Sequence, residues 1–476
     1  MRGLRIELGE IEHTLTSHPA IRQAVVTVRE PGTPQAYLAG YLVPAPGTNV
    51  DHDALREYLT DRLPMHMIPT ALVTLPELPL TGNGKLDQAR LPDPRPERTG
   101  EHLAPTTDTE RQLAGIWQRL LGVDTVSRDH NFFDLGGNSL QATQLITRIR
   151  DRLGVTLDPR QTLTYPVLEQ LAARVDETRR GVAVVRSTSP VVPIHSGGTR
   201  PPLFFVHPVG GSVAPYVRLA SLLGADQPFY GIEDPGLHGA APATGLADTA
   251  ARYAAAVRTV SPEGPYHLGG WSLGGAIALA MAHELGAATT GTARGPSAGT
   301  GGAADTIVVA LDTGLPAEPY RADRGEVLSW FVRDLAGIVG APVPPVDLEA
   351  LRRLPDPEQV EAVLDVVASA RLTPADVAGE LRTRIAVFTA NTTAFLDHRP
   401  EASRGPLVLL HAAGDPDADP GYVDRWRSLA GNGFSHHAVP GNHYTMLQPP
   451  HLPVLAGVLR RCLDRVPPHH TRGGTR

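Results

Sequence analysis

Gly270-Trp271-Ser272-Leu273-Gly274 decides the reading of this chain. It follows a short apolar run ending near Leu268 and opens a small-residue helical stretch, Leu273 to Leu285. A serine hydroxyl is a poor nucleophile unless a tight strand-to-helix turn presents it to a base, and the flanking glycines permit that turn. The spelling alone is weak in a chain with 48 glycines, so the reading rests on what surrounds it.

Apolar runs at 203–206, 266–268, 307–311 and 407–410 alternate with helical patterns, which predicts a parallel sheet with crossover connections. Ligands and reacting groups gather at the carboxyl ends of such strands. Ser272 follows one of them, Asp312 directly follows Ile307 to Leu311, and His443 lies in a Gly-Asn-His-Tyr-Thr loop near the end of the segment. The order Ser, Asp, His is that of α/β-hydrolases. Asp415, after Leu407 to His411, competes with Asp312 for the role of acid. His443 also has the plain reading of a surface-loop histidine, one of 19 in the chain. The loop His207-Pro208-Val209-Gly210-Gly211 supplies free amides, so the oxyanion hole is assigned to the backbone N–H groups of Val209 and Leu273, with His207 structural.

Working outward, two smaller sites precede this one. Asp134-Leu135-Gly136-Gly137-Asn138-Ser139-Leu140 places Ser139 at the start of a helix with Ala142, Leu145, Ile146, Ile149 and Leu153 on one face. Such a position suits an anion, although an N-cap serine alone is the commoner meaning. A capping box from Thr107 to Glu110 starts another helix of the same unit, running to about Leu121. Near the front, β-like runs at Ala24–Val28 and Tyr37–Val43 with a helical pattern from Asp51 to Leu63 predict a small α+β unit. It closes on Leu80-Thr81-Gly82-Asn83-Gly84-Lys85-Leu86-Asp87, whose turn presents Lys85 as a mobile cation to a phosphate or carboxylate; Asn-Gly turns of ordinary hairpins look the same.

The 476 residues predict several domains, divided at stretches poor in aliphatic residues, 92–107 and 178–201, while 287–306 reads as a surface insertion within the last domain. A net charge of -7 without a basic stripe argues against nucleic acid. No apolar stretch reaches bilayer length, and Glu7, Glu10 and Glu12 stand where a signal peptide needs an apolar core, so a cytoplasmic protein without a membrane partner is expected. The one cysteine, Cys462, forms no internal disulfide and reads as a packed thiol. No metal site is expected.

Together the three sites resemble the end of a nonribosomal peptide synthetase. Arg2 to Glu12 and Leu80 to Asp87 are similar to the start and closing motif of the C-terminal subdomain of an adenylation domain, Phe132 to Leu140 to a peptidyl carrier protein, and the remainder, including Gly441 to Leu447, to a type I thioesterase. The resemblance implies a multi-domain chain: a small α+β subdomain over 1–97, a four-helix-type carrier bundle over 104–178, and an α/β-hydrolase fold thioesterase with a helical lid over 201–466, the lid falling at about 320–400. It implies 4′-phosphopantetheine carried covalently on Ser139, and a peptide released through Ser272, His443 and Asp312, the family's acid following the strand after the nucleophile helix. Lys85 stands for the family's adenylation lysine, which contacts the substrate carboxylate and phosphate.

Implied partners are a phosphopantetheinyl transferase, a peptidyl thioester substrate, upstream synthetase modules and the missing N-terminal adenylation subdomain. His66 and Gln88 depart from the family's usual tyrosine and arginine. Without the N-terminal subdomain, adenylation by this chain alone is not expected, and Lys85 is expected to be idle. The chain is read as a fragment, half of a split synthetase, or the product of a misplaced start. Two rival readings stand beside release: a carrier or docking module with an inactive hydrolase domain, and an ordinary esterase.

Overall fold

In the computed structural model, the described residues are 8–29, 37–52, 55, 58–59, 62–63, 67–69, 71–81, 86–92, 103–181, 188–241, 245–291, 306–315, 320–373, 377–414 and 421–464. They divide into two compact units, one holding the described residues up to 92 with 410–414 and 437–464, the other holding 103–409 and 421–436.

The first unit opens with α1 (Leu8–Thr16), followed by β1 (Ile21–Arg29), β2 (Tyr37–Pro44) and β3 (Ala71–Thr74). β1 and β2 pair antiparallel, and β3 adds parallel to β2. Ile11 and Leu15, four apart on one helix face, are buried with Val26, Leu42, Leu55 and Leu59, which is the core of the expected α+β unit. Of the helix expected over 51–63, His52, Leu55, Tyr58 and Leu59 are described and helical. Lys85 and His66 lie outside the described residues.

The second unit begins with four helices, α2 (Asp108–Leu121), α3 (Ser139–Leu153), α4 (Gln161–Thr164) and α5 (Leu168–Arg179). The capping box at Thr107 and Glu110 forms as the sequence predicts. Trp117 and Phe132 meet edge to face at 5.2 Å among buried Leu113, Leu145, Ile149 and Leu168. Gly137 is required here: a Cβ would sit 2.4 Å from the Phe132 ring. Burial by itself raises the Glu110 carboxyl, but the amide and hydroxyl of Thr106, the Thr107 amide and Arg128 outweigh it and hold the group below its ordinary value. A carboxyl lowered on folding stabilises above its unfolded value, about 4.3, and loses that contribution as pH falls through the folded value. A carboxyl-detected NMR titration is therefore expected to find Glu110 titrating below that value, with α2 losing stability only under that acidification.

The rest of the second unit is built on a seven-stranded sheet ordered β10-β9-β8-β7-β5-β6-β4, from β4 (Val191–His195), β5 (Leu203–Val206), β6 (Phe229–Ile232), β7 (His267–Trp271), β8 (Ile307–Leu311), β9 (Leu407–Ala412) and β10 (Phe434–Val439). Residues from Leu410 and from His437 at the ends of the last two strands are counted with the first unit. The β5, β6, β7 and β8 pairings are parallel, and β4 is antiparallel to β6. The crossover helices include α6 (Tyr216–Leu223), α7 (Leu246–Val260) and α8 (Leu273–Gly291). Three differences from the sequence reading have physical causes. The stretch 178–201, read as linker, contributes edge strand β4, whose Pro193 an edge tolerates. β7 continues through Gly269 and Gly270, which look like loop until their packing is seen. α8 runs on to Gly291, into the stretch read as an insertion, and 292–305 lie outside the described residues.

Between β8 and β9 stand α9 (Arg324–Val339), α10 (Leu348–Arg352), α11 (Asp356–Ser369) and α12 (Ala378–Asp397). These are the expected lid helices. They bury an apolar cluster of their own that includes Leu328, Phe331, Val363 and Phe388, and Leu140 of α3 joins it.

Candidate active site

β5 and β7 are neighbours in the sheet but not in sequence: the chain leaves β5 for β6 on one side and returns past β5 to β7 on the other. This is the switch point at which open α/β sheets form a crevice at their carboxyl ends. The loops that begin at His207 and Ser272 both start there.

The turn at Ser272 is a strained one. Its φ is +57, in the left-handed region that a residue with a Cβ seldom occupies, and its N–H donates to the Leu311 carbonyl at 2.9 Å. The glycines on either side permit the approach of backbones. A Cβ on Gly270 would lie 2.4 Å from the Gly274 carbonyl carbon, and one on Gly274 would lie 2.2 Å from the Val206 carbonyl oxygen. Gly269 packs as closely, with a Cβ falling 2.6 Å from the Phe205 ring. Because the obstacle to Gly274→Ala is backbone rather than a movable side chain, the substitution is expected to cost about 3 kcal/mol. Thermal melting followed by near-ultraviolet circular dichroism checks this, and an unchanged midpoint overturns the packing argument.

Asp312 follows β8, also with positive φ (+44). The β7–β8 pairing brings it beside the elbow, since Ser272 is bonded to the residue immediately before it. Thr313 is buried, its carbonyl accepting the Trp426 indole N–H at 2.7 Å. His443 belongs to the first unit. Its loop is shaped by the Asn442 side-chain oxygen, which accepts the amides of Tyr444 and Thr445, and its ring meets Tyr444 edge to face. Asp415 lies outside the described residues.

The loop after β5 is held from below by residues without a local signature. His207 is fully buried; its Nδ1 donates to the Pro208 carbonyl at 2.7 Å and its Nε2 pairs with the Tyr253 hydroxyl at 2.8 Å. Burial drives the Tyr253 phenol well above its ordinary range, with the Asp234 charge adding to the effect. Asn391 of α12 donates to both the Val209 carbonyl and the Asp234 carboxylate. Tyr216 bridges the two strand ends, donating to the Val206 carbonyl at 2.6 Å and accepting the Trp271 amide at 2.9 Å. The amides of Val209 and Leu273 themselves donate to nothing among the described residues.

Ser139 is the first residue of α3, after Gly136 (φ +101) and the Asn138 cap, and its side chain is half-buried. A cavity of about 100 Å³ lies beside it, lined also by Thr143, Ser212, Leu237, Glu233 and Arg384. A hydroxyl at a helix start with open volume next to it fits a covalently attached arm. Among the described residues no cluster of His, Cys, Asp and Glu is fit to hold a metal ion, and no helix is long and apolar enough to cross a membrane.

Residues 10–85 match the C-terminal domain of AMP-binding enzymes, 111–175 the phosphopantetheine attachment site, and 201–294 the thioesterase domain. These three in this order are an adenylate-forming enzyme's C-terminal domain, a carrier domain and a thioesterase domain, the last on an α/β-hydrolase fold. In its domain order and over nearly its whole length the chain is similar to nonribosomal peptide synthetases. It is 34% identical over 481 residues to chondramide synthase cmdD of Chondromyces crocatus, covering 98% of this chain and 12% of that one. It is 43% identical over 287 residues to the dimodular nonribosomal peptide synthase of Bacillus subtilis, covering 60% of this chain and 12% of that one. The chain thus spans about an eighth of the length of these relatives. Among solved structures it is similar to holo-AB3403, a four-domain nonribosomal peptide synthetase bound to AMP and glycine, at a TM-score of 0.52 and 29% identity over 97% of this chain and 34% of that one. The carrier domain is of the type that bears 4′-phosphopantetheine covalently.

Proposed function

We propose that this chain releases a peptide from its carrier by thioester cleavage, with Ser139 as the attachment site and Ser272 as the nucleophile. The observation that carries the reading is the elbow itself: a serine held at φ +57 between two glycines that no other residue replaces, at the switch point of the sheet. The prosthetic arm supplies the thioester, whose thiolate is a good leaving group. Ser272 Oγ attacks the carbonyl carbon while His443 takes its proton, and Asp312 fixes the imidazole tautomer. The amides of Val209 and Leu273 receive the oxyanion, each contributing a few kcal/mol, about 2.7–4 for a comparable donor. Collapse breaks the carbon–sulfur bond, His443 returns its proton to the departing sulfur, and the acyl group is left on Ser272. Water, or a nucleophile within the peptide, then attacks that ester with His443 again as base, giving hydrolysis or macrocyclisation.

The lid helices α9 to α12 are read as governing which nucleophile enters. Upstream modules, the N-terminal adenylation subdomain, a phosphopantetheinyl transferase and a cytoplasmic setting belong to the same proposal, as do the domain limits 1–97, 104–178 and 201–466. Lys85 is assigned no step in release. To test the reading, Ser139 is loaded with a peptidyl pantetheine by a transferase and the tryptic peptides are weighed. An acyl adduct on Ser272, followed by free product, is expected; product without any adduct, or no product, overturns it.

A further inference from the structure

Arg384 stands out among the arginines of the lid. Arg382 is held by Glu361 through two bonds of 2.9 and 2.8 Å, and Arg352 by Asp323, yet Arg384, two residues on along α12, makes no ion pair among the described residues. Its one hydrogen bond runs from Nη1 to Ser139 Oγ at 3.2 Å. Burial lowers the affinity of this guanidinium for its proton, with the charges of Glu233 and Glu380 opposing that effect. Glu233 is already engaged by Arg160 at 3.2 Å and by His238 at 2.7 Å. A partly buried cation without a counter-ion therefore touches the one hydroxyl to which the preceding reading attaches an arm.

The position of that hydroxyl is fixed by more than one contact. Leu140 is buried in the lid's apolar cluster, Asp134 meets Arg218 at 3.3 Å, and Arg160, just before α4, donates to the Ser189 carbonyl as well as to Glu233. Two of the first amides of α3, those of Leu140 and Gln141, are not available to an anion, because the Asn138 side chain accepts from both. Arg384 is the cationic donor that reaches Ser139 Oγ.

We infer that Arg384 is the receptor for the phosphodiester next to Ser139, so that the hydrolase domain grips its substrate through the phosphate as well as through the acyl group. This rests on the assignment of Ser139 as attachment site. When Oγ becomes an ester oxygen, the singly charged phosphodiester stands where the neutral hydroxyl stood, and the Arg384 bond changes from a neutral acceptor to an ionised one, which is roughly twice as strong. A planar fork is suited to two phosphate oxygens at once.

The test uses the full chain with the arm installed from coenzyme A, its presence on Ser139 confirmed by mass. Phosphorus NMR of the unacylated protein is expected to show a phosphodiester resonance shifted and broadened in the wild type. Arg384→Met moves it to the sharp position of a mobile diester, Arg384→Lys gives an intermediate one, and Arg382→Met leaves it at the wild-type position. Sodium chloride is expected to move the wild-type resonance toward the mobile one. In turnover, the ratio of carrier-bound to free acyl-N-acetylcysteamine thioester cleavage is expected to fall about tenfold in Arg384→Met, the size of one such bond. Coincident spectra for wild type and Arg384→Met overturn the inference; should that variant not fold, a wild-type resonance indifferent to salt and to Arg384→Lys overturns it equally. Absence of the arm from Ser139 sinks this inference together with the attachment site. A shifted resonance in a protein that releases nothing keeps the phosphate seat and removes the release reading.

Discussion

With Ser272→Ala, a peptidyl group loaded on Ser139 is expected to remain there, release falling by about a thousandfold or more. In the proposed triad the nucleophile, base and acid act as a unit, so losing one forfeits most of what the set supplies; only the proposed oxyanion donors and binding remain to assist attack by water. The residue is half-buried at a turn whose geometry is fixed by Gly270 and Gly274 rather than by its own side chain, so removing one oxygen leaves the fold intact. Single-turnover release followed by intact-protein mass checks the result. Release within tenfold of the wild type overturns the thioesterase reading and favours a carrier with an inactive hydrolase neighbour.

Asp312→Asn is expected to lower the rate of release about ten-thousandfold while leaving the amount of loaded carrier unchanged. Where the carboxylate accepts from the proposed base's Nδ1–H, the amide NH2 donates to Nδ1 instead, which favours the wrong imidazole tautomer, and the neutral amide does not balance the imidazolium charge; together these set the size of the loss. Asp312 is placed by β8 and held at φ +44, a backbone cost that the pairing around Leu311 sustains. Asp415→Asn is the companion measurement. If that variant loses release and Asp312→Asn keeps it, the acid is the later carboxylate.

Much of the hydrolase sheet is legible in sequence where strands are continuous apolar runs, as in Leu203–Val206 and Ile307–Leu311, because strands buried on both faces need no alternation. β7 is only half legible. Gly269 and Gly270 look like loop residues, yet they stay in the strand because Phe205 and the Gly274 backbone press against them. β6 hides for a related reason: its Gly231 leaves room for Val213, which a Cβ would meet at 2.7 Å. Edge strand β4, with Pro193, carries the composition of a linker.

The elbow serine, Asp312, the carrier serine and the amides of Val209 and Leu273 have local sequence signals. Tyr216, Tyr253, Asn391 and Arg384 do not, since each acts through a partner brought near only by folding: Asn391 is 182 residues from Val209, and Arg384 is 245 from Ser139. No periodicity or motif encodes such a pairing.

With Ser139 as the proposed attachment site, its contact with Arg384 also separates two events in time. A hydroxyl engaged by the lid is not offered to an enzyme that would equip it, so on this proposal maturation is expected to precede that engagement. Arming and unloading then become alternate postures of one tethered passenger, and whatever lengthens its stay at one berth shortens its stay at the other.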